Sequence, residues 1–458
     1  MSVVIKGGLL IDGASHKPLV DPLIVIRGGR IAFVGTCKGT DTSKVFVQRQ
    51  GEKGAKGEGA GSGAEAGSEA KSEAKTKMET KTRTEPETKT EAEEVIDATG
   101  MTVLPGLVDP HVHLCLSAGK DCLKDFWSDT ENLHGGNDIL LLRAARNAQR
   151  CLSAGITTVA DCGSRGSVAL MVREGIKRGL ISGPRILSCG MPITTTSGHM
   201  WYMGLEVEGK REIRKAVRNL VKMGVDFIKL VSSGGFTDPF DTNPMGLQFS
   251  MEEQRILVED AHRLGKPVAS HAYPAIAIRA SIDAGVDRVE HCHWAIENSR
   301  YQIDMDYVSS MVRRGIWAGF TLGNSKSLLP IIRGEVPLRE DDYFAIFRRM
   351  REAGVRIAIH SDAGCSNVEF EEFPVSIAGA AAVLKMEPIE ALSAATLGNA
   401  RSLGIDGLVG SIEVGKAADI LIVDGNPLED LLNLRRVWKV LKDGKTVVEK
   451  GAIVNRTP

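Results

Sequence analysis

Short apolar runs separated by glycine turns open the chain: Val3-Val4-Ile5, Leu9-Leu10-Ile11, Leu23-Ile24-Val25-Ile26 and Ile31-Ala32-Phe33-Val34. This texture predicts short antiparallel strands. It returns near the end in Ala418-Asp419-Ile420-Leu421-Ile422-Val423 and in the run from Val437 to Val448, where Asp443-Gly444 is a hairpin turn signal. Both ends are therefore expected to build one small sheet domain, from residues 1–49 and 406–458. A Gly/Ala/Glu/Lys/Thr/Ser tract, residues 50–94, holds too few apolar side chains to offset the entropy of ordering it and is expected to be disordered. Residues 95–105 then lead into the next unit.

From residue 106 to 405 the pattern changes to short apolar runs alternating with helical periodicity, which predicts βα units and a parallel sheet. Eight runs stand out: Leu107 to His113, Thr157 to Cys162, Pro184 to Cys189, Phe227 to Val231, Val268 to His271, Arg288 to Cys292, Trp317 to Phe320 and Arg356 to Asp362. Helices are predicted over Asp138–Ser153, Val168–Arg178, Arg211–Met223, Met251–Leu264 and Leu338–Ala353. The joints Ala154-Gly155-Ile156, Ala284-Gly285-Val286 and Ala353-Gly354-Val355 reuse one helix-to-strand turn. The expected fold class is α/β, a distorted (β/α)₈ barrel with a small β-sandwich made from both termini, within the range of a 458-residue chain.

Composition narrows the partners. With 57 Lys+Arg against 58 Asp+Glu, the net charge of −1 gives no footprint for nucleic acid or an anionic membrane, so a small-molecule partner is expected. No secretory signal or spanning apolar stretch is visible. The eight scattered cysteines form no CxxC pair, which suits reduced thiols in the cytoplasm, and Cys162, Cys189 and Cys292 read as small buried hydrophobes. Gly234-Gly235 lacks the pattern of a phosphate loop, so no nucleotide cofactor is inferred.

The candidate chemistry lies at the ends of the apolar runs, where barrel active sites assemble. Strand alternation turns His111 and His113 to one side, so that both imidazoles can share an ion. Lys229, inside Phe227-Ile228-Lys229-Leu230-Val231, is costly to bury unpaired. It reads either as half of a salt bridge or as a lysine kept neutral by burial that takes up CO₂, giving a carbamate whose oxygens bridge two metals. His271 and His291 end their strands and suit a second ion, and Asp362 closes the last strand beside Gly364. Two ions about 3.5–4 Å apart lower the pKa of a shared water from about 15.7 towards about 7 and polarise a carbonyl. Asp362 would accept the proton and pass it to the leaving nitrogen. His199 is a candidate for hydrogen bonding to the substrate carbonyl. His293 and His360 read as neighbours of the ligands rather than ligands.

These motifs resemble the amidohydrolase superfamily, specifically its imidazolonepropionase-related and Xaa-Pro-dipeptidase-like (prolidase-like) branch, which includes ochratoxinase-like amide hydrolases. The marks are Leu104 to His113, Ser197-Gly198-His199, Ile228-Lys229, Ser270-His271-Ala272, Val289-Glu290-His291, His360-Ser361-Asp362-Ala363-Gly364 and Gly410 to Asp419. The resemblance implies that His111, His113 and Asp362 hold one metal and His271 and His291 a second, with carboxylated Lys229 bridging, and that the ions are Zn²⁺. It also implies a homo-oligomer and cleavage of dipeptides or N-acyl amino acids. The residues alone leave Mn, Co or Ni open. Rival readings are a mononuclear imidazolonepropionase-like cyclic amide hydrolase or deaminase, and a non-catalytic scaffold of the same fold.

Overall fold

The computed structural model describes residues 2–37, 93–131, 136–236, 242–297, 300–339 and 343–454. The tract expected to be disordered lies outside the described residues as far as residue 92; Glu93 and Glu94 already belong to a strand.

Among the described residues, seven strands precede the barrel: β1 (Ser2–Lys6), β2 (Leu9–Leu10), β3 (Leu19–Val20), β4 (Pro22–Arg27), β5 (Arg30–Thr36), β6 (Glu93–Asp97) and β7 (Met101–Pro105). Four of them form a sheet in the order β5-β4-β1-β6, with β6 lying parallel to β1. The barrel segment contributes β8 (Leu107–Val112), β9 (Ile156–Asp161), β10 (Arg185–Ser188), β11 (Ile193–Thr194), β12 (Leu205–Glu206), β13 (Ile228–Val231), β14 (Val268–Pro274), β15 (Arg288–Glu297), β16 (Arg300–Tyr301), β17 (Trp317–Thr321) and β18 (Ile357–His360). Finally β19 (Ile420–Asp424), β20 (Val437–Lys442), β21 (Lys445–Glu449) and β22 (Ala452–Ile453) join the N-terminal strands in the order β22-β21-β20-β19-β7-β2-β3. Asp443-Gly444 is the turn between β20 and β21, as the sequence predicts.

Side-chain alternation explains why the last sheet is apolar on consecutive positions. Ile420 and Ile422 join Val3, Ile5, Ile24 and Ile26 in a core between the two sheets. Leu421 and Val423 belong instead to the large barrel core. A sheet covered on both faces needs a continuous apolar run, which is what Ile420 to Val423 supplies.

All eight predicted barrel strands are present, as β8, β9, β10, β13, β14, β15, β17 and β18. They pair in parallel as two arcs, β8-β9-β10 and β13-β14-β15-β17-β18. Backbone bonds join the arcs at both ends: Asp226 N donates to Ser188 O (2.9 Å), Asp362 N to His111 O (3.0 Å), and His113 N to Ala363 O (2.8 Å). Helices Asp138–Ser153, Val168–Lys177, Gly209–Met223 and Met251–Arg263 match the predicted spacers within two residues at each end. Gly285 caps helix Ala275–Ala284 at φ +92°, a left-handed conformation that a side chain would strain. Of the helix expected over Leu338–Ala353, Tyr343–Glu352 is helical; residues 340–342 lie outside the described residues. A helix outside the predicted spacers occupies Ser325–Ile332, started by Asn324, whose side chain accepts from Ser327 N (3.1 Å).

Candidate active site

The seven residues singled out from sequence, His111, His113, His199, Lys229, His271, His291 and Asp362, all line one cavity of about 170 Å³. Strand β8 delivers His111, with His113 directly after it. Their Nε2 atoms each lie 3.3 Å from the same oxygen, Oδ1 of Asp362. Nζ of the wholly buried Lys229 stands 3.5 Å from His111 Nε2. The His271 ring lies 4.6 Å from that of His291 and 4.5 Å from that of His199, and His291 lies 5.4 Å from His111, centroid to centroid.

Four of the five imidazoles, those of His111, His113, His271 and His291, make a contact through their outer nitrogen. His113 Nδ1 donates to Gly163 O (3.1 Å), His291 Nδ1 meets Thr321 Oγ1 (2.9 Å), and His271 Nε2 donates to Gly234 O (3.2 Å). His111 Nδ1 faces Glu290 Oε2 at 3.2 Å. Such outer contacts select the tautomer that leaves a lone pair toward the centre.

Burial, followed by the charge of Lys229, pulls the His111 pKa down to about 3. It also drives His271 and His291 well below the usual imidazole range. Asp362 moves the opposite way to an isolated buried acid: desolvation raises it, but His111, His113 and His291 outweigh that and hold it well below the carboxylate range. Neutral imidazoles around an ionised carboxylate are the protonation states that a divalent cation requires of its ligands. The donor set therefore fits metal.

Two backbone features tighten the geometry. His291 (φ +64°) and Asp362 (φ +61°) sit in the left-handed region, which costs on the order of 1–3 kcal/mol for a non-glycine residue and persists where the surroundings overdetermine it. Gly364 (φ +106°) leaves room for the chain to pass His113, whose carbonyl oxygen would lie 2.3 Å from any Cβ there.

Several residues at the site carry no role in the sequence reading. Glu290 is fully buried and ion-paired with Arg288. Asp109 accepts from the backbone and hydroxyl of Ser361, linking β8 to the chain leaving β18, and Asp161 accepts from Leu114 N and Ser164 Oγ, both at 2.9 Å. Burial pushes both carboxyls up to about 6. The available signal was a carboxylate inside an apolar strand, the same signal that marked Lys229. His111, Cys162 and Glu290 also cluster closely enough to hold an ion. The Arg288 guanidinium already neutralises Glu290, and burial keeps the Cys162 thiol protonated, its pKa pushed up to about 12.

His360 lies against Glu290 (3.1 Å), and the His293 ring packs between Tyr273 (4.7 Å) and Tyr343 (4.4 Å). Leu116, Met200, Tyr202, Met203, Phe236 and Tyr273 complete most of the cavity wall. Residues 237–241 of the loop after β13 are outside the described residues.

Residues 102–447 match the amidohydrolase family. The chain belongs to that family. Among curated amidohydrolase relatives, ochratoxinase of Aspergillus niger is 29% identical over 388 residues, covering 78% of this chain and 76% of the relative. Imidazolonepropionase of Fusobacterium nucleatum is 25% identical over 385 residues, covering 78% and 86%. A Xaa-Pro dipeptidase crystal structure with bound methionine in its active site superposes with a TM-score of 0.72 at 25% identity, over 97% of this chain and 99% of that one. The A. niger ochratoxinase structure gives 0.72 at 24% identity, over 98% and 96%, and shares the fold. The expected family and barrel-type fold are thus those observed. This amidohydrolase is a hydrolase by family, and no helix among the described residues is long and apolar enough to cross a membrane.

Proposed function

We propose that this chain is a binuclear metal-dependent hydrolase that cleaves a non-ring amide bond, acting on dipeptides or on N-acyl amino acids related to ochratoxin. One observation carries the reading: two imidazole nitrogens share an ionised carboxylate oxygen next to a wholly buried lysine. A lysine nitrogen buried among imidazoles is costly to hold as an unpaired ammonium. As a carbamate it would carry the negative charge that two cations need.

His111, His113 and Asp362 would hold one ion, His271 and His291 the other, and carboxylated Lys229 would bridge them. Two such cations, Zn²⁺ in this proposal, supply a water acidified towards a pKa of about 7 and a polarised carbonyl. Asp362 takes the proton of the attacking water and returns it to the leaving nitrogen, so the amine departs neutral. His199, beside His271, donates to the carbonyl oxygen as charge grows on it. Phe236 and Tyr273, in edge-to-face contact at 4.8 Å, form an aromatic side of the cavity and favour an apolar acyl group or side chain.

The test is a hydrolysis screen of dipeptides and N-acyl amino acids on metal-replete protein, with metal counted per chain. Turnover with about two equivalents of metal supports the proposal. Turnover of cyclic imidazolones with one equivalent would assign the mononuclear ring-hydrolase reading instead, and full metal uptake without any hydrolysis would favour a scaffold.

A further inference from the structure

We propose that Glu290 is a positioning residue that ties the two halves of the metal pocket into one unit, a role resting on the binuclear reading above. Its carboxylate is wholly buried, and Oε2 stands 3.2 Å from His111 Nδ1 and 3.1 Å from His360 Nε2. The other oxygen pairs with Arg288, whose guanidinium also donates to Pro110 O (3.2 Å), the carbonyl immediately before His111. On the far side, Thr321 Oγ1 lies 3.3 Å from the same His360 nitrogen and 2.9 Å from His291 Nδ1. One continuous polar chain, His111-Glu290-His360-Thr321-His291, thus connects a residue assigned to the first ion with one assigned to the second.

The backbone is shaped for this arrangement. In a regular strand Glu290 and His291 point to opposite faces, so only one reaches the barrel interior. The left-handed φ of His291 breaks the alternation of β15, and both side chains then serve the site. Opposite them, Gly319 on β17 has no side chain to offer: a Cβ there would lie 2.3 Å from Glu290 Oε2 and 2.8 Å from His360 Nε2. Space is reserved for the carboxylate. Arg288 makes its burial tolerable, because a paired buried charge avoids most of the desolvation cost that a lone one bears.

The physical consequence is orientation. By accepting from His111 Nδ1–H, Glu290 fixes the ring rotation and leaves Nε2 unprotonated toward Asp362 and Lys229; through His360 and Thr321 it restrains His291 as well. Removing an outer partner of a metal-binding histidine typically costs 10- to 100-fold in metal affinity.

Zinc affinity of the full chain, measured by competition with a chromophoric chelator, tests this. Glu290→Ala should bind zinc at least tenfold more weakly than the parent, with both equivalents affected. Gly319→Ala, which leaves every donor in place and only crowds Glu290 and His360, should weaken zinc several-fold while keeping the parent's circular dichroism. Unchanged affinity in either folded variant overturns the role. If Glu290→Ala does not fold, Gly319→Ala decides alone, together with the parent itself: nitrogen-15 shifts of His111 in metal-free protein should report the Nδ1–H tautomer, and an Nε2–H tautomer overturns the proposal. A parent chain that takes up no zinc would end the binuclear reading instead, which separates the two failures.

Discussion

Lys229 Nζ and His111 Nε2 face each other across 3.5 Å in the floor of the cavity, and neither residue is more than 1% exposed. A cation and an imidazole lone pair can make that contact, but nothing in it accounts for a lysine at this depth. A carbamate does. Lys229→Ala is expected to lose most bound metal and on the order of 10²–10³ in kcat/KM, with acetate or propionate partly restoring both. Mass and metal analysis with and without the short acid check this; full metal and activity in the variant would reject the carbamate.

Asp362 Oδ1 lies 3.3 Å from the Nε2 atoms of both His111 and His113, and in the proposed reaction this carboxylate carries the proton. Asp362→Asn should retain much of the metal and lower kcat by about 10²–10⁴, the usual contribution of a general base. A change of less than about fivefold would move proton transfer to another group.

His199 is placed by a glycine on a neighbouring loop: a Cβ at Gly235 would sit 2.3 Å from its ring. His199→Ala is expected to lower kcat by about 10²–10³ with metal content unchanged, as for loss of an oxyanion donor. Gly235→Ala should reproduce part of that loss by pushing the ring aside. Normal kcat in both variants would leave His199 with a structural role only.

Both ring nitrogens of His293 are buried without a hydrogen-bond partner among the described residues, and burial, with His360, lowers its pKa to about 3. The unfolded chain, with a histidine pKa of about 6.5, therefore binds the proton first. Stability from this residue is complete above pH 6.5 and is lost as pH falls from about 6.5 towards about 3, amounting to about 2 kcal/mol between pH 8 and pH 5. Urea unfolding of the metal-free protein at those two pH values should show a smaller acid-induced loss for His293→Phe than for the parent, by about that amount. Equal losses would mean that His293 protonates freely in the fold.

The barrel strands were legible from their apolar runs, and three of those runs terminate in a polar residue that faces the cavity: His113, His271 and Asp362. Glu290 was not, because alternation assigns it to the opposite face from His291, and a left-handed residue inside a strand is imposed by tertiary packing rather than by local preference. Helix Ser325–Ile332 was hidden by Pro330, which normally argues against a helix interior but is accommodated in the last turn here. The parallel pairing of β1 with β6, across residues 38–92, likewise has no local signature.

Strand β7, which leads straight into the barrel, pairs on one side with β2 and on the other with β19, some three hundred residues later. During synthesis the amino-terminal sheet must wait, with the β7 edge and its apolar face open, until β19 has left the ribosome. A chain cut short before Ile420 would keep every residue of the cavity yet present that bare edge to its neighbours, and premature termination should yield aggregates rather than a smaller enzyme.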